Sequence, residues 1–191
     1  MARNYQNLER YINKLSEQIY EQPPDPGHTQ WATEIIDKWI SQMPTCKSIL
    51  DVGCGQAFCK PLFEKYGKTW AGVTLGPDYL VCQQNGIEPV FNADFNFLDM
   101  IEKESYDLVF SRHSLEHSFS TLISLSEWWR ISAQWLCIIT PSPLFWTVRG
   151  KNHLSVLYPD QLKWNFELTN WGIMWEDHTP EEDRWMLEKI R

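Results

Sequence analysis

A chain of 191 residues with 43% hydrophobic content is long enough to bury one sizeable core. Its net charge of −8 opposes the phosphate-neutralising surface that a long nucleic-acid duplex requires, and no run approaches the roughly eighteen apolar residues of a membrane span. The polar start Met1-Ala-Arg-Asn-Tyr-Gln-Asn7 lacks the apolar stretch of a secretory leader, which points to the cytoplasm, and five cysteines with no C-x-x-C pair suggest reduced thiols rather than a disulfide framework or a zinc knuckle.

Tyr5, Leu8, Tyr11, Ile12, Leu15 and Ile19 recur at helical spacing and predict an amphipathic first helix. Pro23-Pro-Asp-Pro-Gly27 breaks the chain, and Thr29 is placed to cap a second helix carrying Trp31, Ile35, Ile36, Trp39 and Ile40, closed by Pro44. Next comes Ser48-Ile-Leu-Asp-Val-Gly-Cys-Gly-Gln-Ala57. A short apolar strand, Ile49 to Val52, ends in a glycine-rich turn beside Asp51, and an apolar helix-like segment runs from Ala57 to Tyr66. Gly53 and Gly55 can take backbone angles that other residues resist and carry no Cβ to block a ligand lying on the turn. A crevice at a strand's carboxyl end is where open α/β sheets bind nucleotides. A dinucleotide fold would want a third glycine where Phe58 stands, so NAD is disfavoured.

Gly67 stops that helix, and Thr69–Thr74 reads as the second strand. Pro77 suits the first turn of a helix bearing Tyr79, Leu80 and Cys82, which Gly86 ends. Val90-Phe91 predicts a third strand leading into Asn92-Ala-Asp-Phe95, and Tyr106-Asp-Leu-Val-Phe-Ser111 a fourth. Phe119, Leu122, Leu125, Trp128 and Trp129 keep helical spacing, and Leu136–Thr140 forms a fifth strand. Pro141-Ser-Pro143 then forces a loop to Tyr158 that contains Phe145, Trp146, Arg149 and His153. Loops at the carboxyl ends of strands are where a shared scaffold acquires specificity. Pro159–Leu168 predicts a helix and Gly172–Trp175 a sixth strand. For the tail, the capping box Thr179-Pro-Glu-Glu182 favours a helix, whereas Arg184–Ile190 reads equally as a strand.

Ile49-Leu-Asp-Val-Gly-Cys-Gly55 closely resembles motif I of the class I S-adenosylmethionine (SAM) dependent methyltransferases, and the resemblance runs from about Ser48 to about Gly172. It implies a Rossmann-like α/β fold, a mostly parallel central sheet with helices on both faces, and one domain over residues 1–191. Helices within about residues 1–43 would serve as a lid over the SAM pocket. In the family an antiparallel seventh strand falls where Arg184–Ile190 lies, which favours the strand. Gly53, Cys54 and Gly55 would lie under the methionine part of SAM, with Asp51 beside them. Family members usually hold the ribose with an acid at the end of the second strand; this sequence departs there with Thr74. Gly72-Val-Thr-Leu75 is similar to a variant in cyclopropane-synthase-like members, and Asp78 is either a substitute or a helix N-terminal acid serving the macrodipole. By the same resemblance Asp94 accepts the adenine amino hydrogen, the Phe95 N–H meets a ring nitrogen, and the strand end Ser111-Arg-His-Ser-Leu-Glu-His117 faces the transferred methyl, with Ser111 and Arg112 on the cofactor.

Methyl transfer from a sulfonium is an in-line displacement, so the protein chiefly aligns nucleophile and methyl; a base is needed only where the acceptor must lose a proton. His113, Glu116 and His117 are candidates, since spacings of three and four place them on one side of a helix. His113-x-x-Glu116-His117 also matches an inverted zinc-peptidase pattern, but its start at the end of a methyltransferase strand argues against that chemistry. Two readings of the cluster remain. Small-RNA terminal 2′-O-methyltransferases and ubiquinone-pathway O-methyltransferases are similar here, with Glu-x-x-Glu-His after the fourth strand and, in the RNA enzymes, a histidine after the fifth. This makes Glu116, His117 and His153 candidate ligands of a divalent metal, with His113 as a further candidate. His113, however, replaces the first glutamate. In the other reading Glu116 and His117 hydrogen-bond the loop after the fifth strand and shape a metal-free pocket. The leading expectation is a methyltransferase acting on a small molecule or a terminal group, the competing one a catalytically silent SAM-binding or partner-binding module.

Overall fold

The computed structural model describes residues 6–16, 26–146 and 152–191. Among them, the chain runs through α1 (Gln6–Ser16), α2 (Pro26–Lys38), β1 (Ser48–Val52), α3 (Lys60–Glu64), β2 (Thr69–Thr74), α4 (Gly76–Gln84), β3 (Val90–Asn92), β4 (Tyr106–Arg112), α5 (Thr121–Ile131), β5 (Ser132–Pro141), α6 (Pro143–Trp146), α7 (Pro159–Leu168), β6 (Trp171–His178) and β7 (Glu182–Lys189). The predicted residues Tyr5, Ile19 and Arg149 lie outside the described residues.

One seven-stranded sheet holds the order β3-β2-β1-β4-β5-β7-β6. β1 to β5 pair in parallel, while β7 runs antiparallel to both β5 and β6. Strand order therefore reverses between β1 and β4, and the carboxyl ends of those two strands flank the switch-point crevice. Side chains alternate across the sheet. Leu50, Val52, Val109 and Ile138 pack on one face with Trp128 of α5 and Phe166 of α7, whereas Ile49, Leu108, Phe110 and Ile139 pack on the other with Ile35 and Ile36 of α2 and Phe63 of α3. Helices thus cover both faces, as the Rossmann-like reading requires.

α2 is a core element: Ala32 and Ile36 have no exposure and Ile35 has 2%. It begins at Pro26, three residues before the predicted cap at Thr29. The predicted helix from Ala57 to Tyr66 shrinks to the five residues Lys60–Glu64, because Ala57 takes a left-handed φ of 64° that no helix tolerates. The predicted helical run over His113–His117 is a short 3-10 turn, Leu115–His117, entered through His113 at φ 50°. In the tail the capping-box residues make a hairpin turn instead of a helix. Thr179 Oγ1 accepts the N–H groups of Glu181 and Glu182 at 3.3 and 2.9 Å, and the Thr179 N–H donates to Glu182 O at 2.8 Å.

Candidate active site

The glycine turn after β1 is stitched to β2 by the N–H groups of Gly53 and Cys54, which both donate to Val73 O at 2.9 and 3.0 Å. Gly53 has φ +71°, and a Cβ there would lie 2.1 Å from Ser114 Oγ. Only a glycine lets the turn after β1 come this close to the segment after β4. Asp51 is buried and accepts Trp70 Nε1–H at 3.2 Å. Burial raises its carboxyl to about 7, against the Trp70 hydrogen bond and the Arg112 guanidinium. Burial also holds the Cys54 thiol well above the ordinary range, so it is no nucleophile at neutral pH.

Arg112, at the end of β4, is only 7% exposed, and its Nη1 has no hydrogen-bond partner among the described residues. Its charge acts on Asp51, Cys59 and Glu116 alike. Ser111 has no exposure, and its Oγ is likewise without a hydrogen-bond partner. Thr74 is buried at the end of β2, and half-buried Leu75 leads into α4. Asp78, in the first turn of α4, accepts Gln56 Nε2–H at 3.1 Å and so ties α4 to the motif I segment. Asp94 is half-buried; Phe95 packs edge-on against Trp128, and its carbonyl accepts Trp128 Nε1–H at 3.0 Å.

Beyond β4, Glu116, His117 and His153 each offer a ligand atom, and these atoms lie within 4.8 Å of one another. Glu116 is 1% exposed, and among the described residues no other residue donates a hydrogen bond to either of its oxygens. Burial lifts its carboxyl to about 8; its own backbone N–H and Arg112 oppose this, and Glu182 adds to it. His117 Nδ1 lies 3.1 Å from Asn152 O, which accepts its proton, so Nε2 is the nitrogen turned toward Glu116 Oε1 at 3.9 Å. Burial lowers the His117 imidazole to about 4, the Asn152 carbonyl opposing and His153 and His113 adding. The His153 ring stands 5.0 Å from that of His117, and burial lowers it too. The loop bearing His153 is held by the N–H groups of Leu154 and Ser155, which donate to Glu116 O at 2.7 and 2.9 Å. The backbone of Glu116 and the ring of His117 therefore bind the loop after β5, while the Glu116 carboxylate does not.

His113 flanks Glu116 as well. Its Nε2 donates to Glu182 Oε1 at 2.6 Å, and its Nδ1 is 4.0 Å from Glu116 Oε1. Glu182 and Trp70 were invisible as site residues in the sequence. Glu182 reads there as part of a helix cap, and Trp70 as an ordinary strand aromatic.

The family described as "Methyltransferase domain" matches residues 50–134 of this chain. No curated protein matches the sequence. Among solved structures the chain is similar to a SAM dependent methyltransferase from Archaeoglobus fulgidus, at 17% identity over 84% of this chain and 94% of that one, with a TM-score of 0.68. It is similar to another from Aquifex aeolicus, at 14% identity over 88% and 100%, TM-score 0.64. The [4+2]-cyclase SpnF shares the fold as well, at 10% identity over 97% and 93%, TM-score 0.71. At such identities the likeness is one of fold, and a fold hosts more than one chemistry. The domain match and the sheet order together give the chain the Rossmann-like fold of these methyltransferases. No helix among the described residues is long and apolar enough to cross a membrane.

Proposed function

We propose that the protein is a SAM-dependent methyltransferase that passes the methyl of SAM to a small molecule or a terminal group seated between the motif I crevice and the Glu116–His117–His153 cluster. The observation that carries the reading is the approach of Gly53 to Ser114, which sets the glycine turn against the segment leading to Glu116 and His117. In this reading the methionine part of SAM lies on Gly53, Cys54 and Gly55 beside Asp51. The ribose lies near Thr74 and Leu75, and the adenine meets Asp94 and the Phe95 N–H. Ser111 and Arg112 close the crevice from β4. A low imidazole pKa keeps His117 neutral at physiological pH, and with Nδ1 engaged by Asn152 its Nε2 lone pair is available to take an acceptor proton. We place the protein in the cytoplasm as one domain, with α1 as the lid and no long nucleic acid as substrate. Calorimetric titration with S-adenosylhomocysteine (SAH), followed by turnover on an acceptor panel, tests the proposal. Absence of SAH binding overturns it, and binding without turnover on any acceptor supports the silent-module reading.

A metal-assisted version is favoured by one specific observation: the buried Glu116 carboxylate lies unpartnered beside two imidazoles. One carboxylate and two histidines form a donor set suited to a divalent cation, and His117 already has the carbonyl partner on Nδ1 that orients metal-binding histidines. Glu116, His117 and His153 would hold the ion, which when bound supplies Lewis-acid polarisation of an acceptor oxygen. Chelation that abolishes turnover, with restoration by added divalent ion, supports this version; indifference to chelators supports the metal-free one.

A further inference from the structure

Asn96 follows the adenine-side acid by two residues and is only 5% exposed. Its backbone N–H and its Nδ2 both donate to Asp94 Oδ1, at 2.9 and 2.7 Å. On the other side its Oδ1 accepts the hydroxyls of Ser118 and Ser124 at 2.7 and 2.6 Å. Ser118, which has no exposure, lies directly after His117, and its carbonyl accepts the Ser155 hydroxyl at 2.7 Å. Buried amide and hydroxyl groups with satisfied partners hold one geometry, because any rotation leaves a polar atom unpaired. The chain of bonds Asp94–Asn96–Ser118–Ser155 is therefore a short rigid path from the loop after β3, past the turn of Glu116 and His117, to the loop that bears His153.

We infer that Asn96 is a positioning residue that couples the cofactor's adenine contact to the acceptor-side loop. The inference rests on the reading of Asp94 as the adenine acceptor. SAM held by Asp94 fixes the carboxylate that fixes Asn96, and Asn96 in turn holds Ser118 and the loop anchored on it. Cofactor binding would then tighten the segment carrying His153 before an acceptor arrives.

Hydrogen–deuterium exchange of residues 152–158, with and without saturating SAH, reads the coupling without any acceptor. In the wild type, SAH should slow exchange of the Leu154 and Ser155 amides by roughly tenfold. Ser118→Ala should bind SAH within about threefold of the wild type yet show less than about twofold slowing of the loop. Asn96→Ala should weaken SAH by roughly tenfold in the native background and by no more than about twofold in Asp94→Ala, since residues acting through one another are not additive. Undiminished loop slowing in Ser118→Ala overturns the inference, as does an Asn96→Ala effect that is the same in both backgrounds; should Asn96→Ala fail to fold, the Ser118→Ala arm decides. Wild-type protein that binds SAH with no change in the loop sinks the coupling alone. Wild-type protein that binds no SAH sinks the cofactor reading and the coupling with it.

Discussion

Glu182, the first residue of β7, accepts a 2.6 Å hydrogen bond from His113 Nε2, and its other oxygen accepts Arg184 Nε at 3.3 Å. Arg184 in turn reaches Glu34 of α2 through Nη1 at 3.3 Å. By its resemblance His113 occupies the place where the metal-dependent families carry a glutamate, and this network commits its Nε2 to the terminal hairpin, with Nδ1 4.0 Å from Glu116 Oε1. Replacing His113 should accordingly matter little to ion uptake. In the metal-assisted version, His113→Ala keeps divalent-ion affinity within about threefold, while His117→Ala and His153→Ala each lower it by roughly tenfold or more. Ion titration followed by calorimetry on the three variants checks this, and an equal loss in all three would make His113 a ligand.

Two left-handed glycines separate site from scaffold. Gly53→Ala places a methyl 2.1 Å from Ser114 Oγ at φ +71°, whereas Gly67→Ala at φ +67° meets nothing within 4 Å. Gly67→Ala should cost about 1 kcal/mol of stability from backbone strain alone and leave SAH affinity unchanged. Gly53→Ala should lose SAH binding by at least roughly tenfold, because the turn must open to admit the methyl. Calorimetry with a parallel denaturation curve distinguishes the two; full SAH affinity in Gly53→Ala would remove the turn from the cofactor site.

Asp94→Ala should weaken SAM by about 1.5–3 kcal/mol, the worth of one hydrogen bond to a charged group, without unfolding the domain. Thr74→Ala should cost less, since a neutral hydroxyl offers a weaker bond. Titration of both variants is the check, and a larger loss at Thr74 would relocate the main cofactor contact to the end of β2.

The buried Asp51 carboxyl gives a pH signature. Its ordinary value is about 4, and in the folded protein it stands at about 7. Between these values the native state keeps a proton that the unfolded chain has released, so stability falls as pH rises through that window and levels off above it. Asp51→Asn should flatten this decline in the ligand-free protein, which is at most about 1.4 kcal/mol per pH unit from this group. Glu116, raised to about 8, has the same sign and leaves a residual slope in the variant. Urea midpoints measured between pH 5 and 8 test it; identical slopes in wild type and Asp51→Asn would mean that the carboxyl is ionised throughout.

The strands β1 to β4 were legible because each is a short, mainly apolar run bounded by a glycine, a proline or a charged stretch. Thr69–Thr74 and the helix Pro159–Leu168 coincide with their predicted bounds. What escaped the sequence was set by long-range contacts. Ala57 looks like a helix former, yet closure of the turn on β2 forces it left-handed. Thr179 to Glu182 carries a sound capping signal, but pairing of β7 with β5 and β6 outweighs a local cap. Glu116, His117 and His153 were legible as candidates from residue type. Their convergence is produced by the loop bonds to Glu116 O, and periodicity does not encode those. Asn96 has a polar identity that many loops share, and its role emerges only from four hydrogen bonds to three residues, two of them serines more than twenty residues away.

The sheet order places β7 between β5 and β6, although β7 is the later of the two in the chain. During vectorial synthesis β6 is therefore made before the strand that joins it to the rest of the sheet. Until then β5 ends in an open row of backbone donors and acceptors, and Glu182 is absent from His113. The nascent chain at that stage exposes a pairing-competent edge to neighbours, and the contact of His113 with Glu182 can form only once the hairpin has inserted.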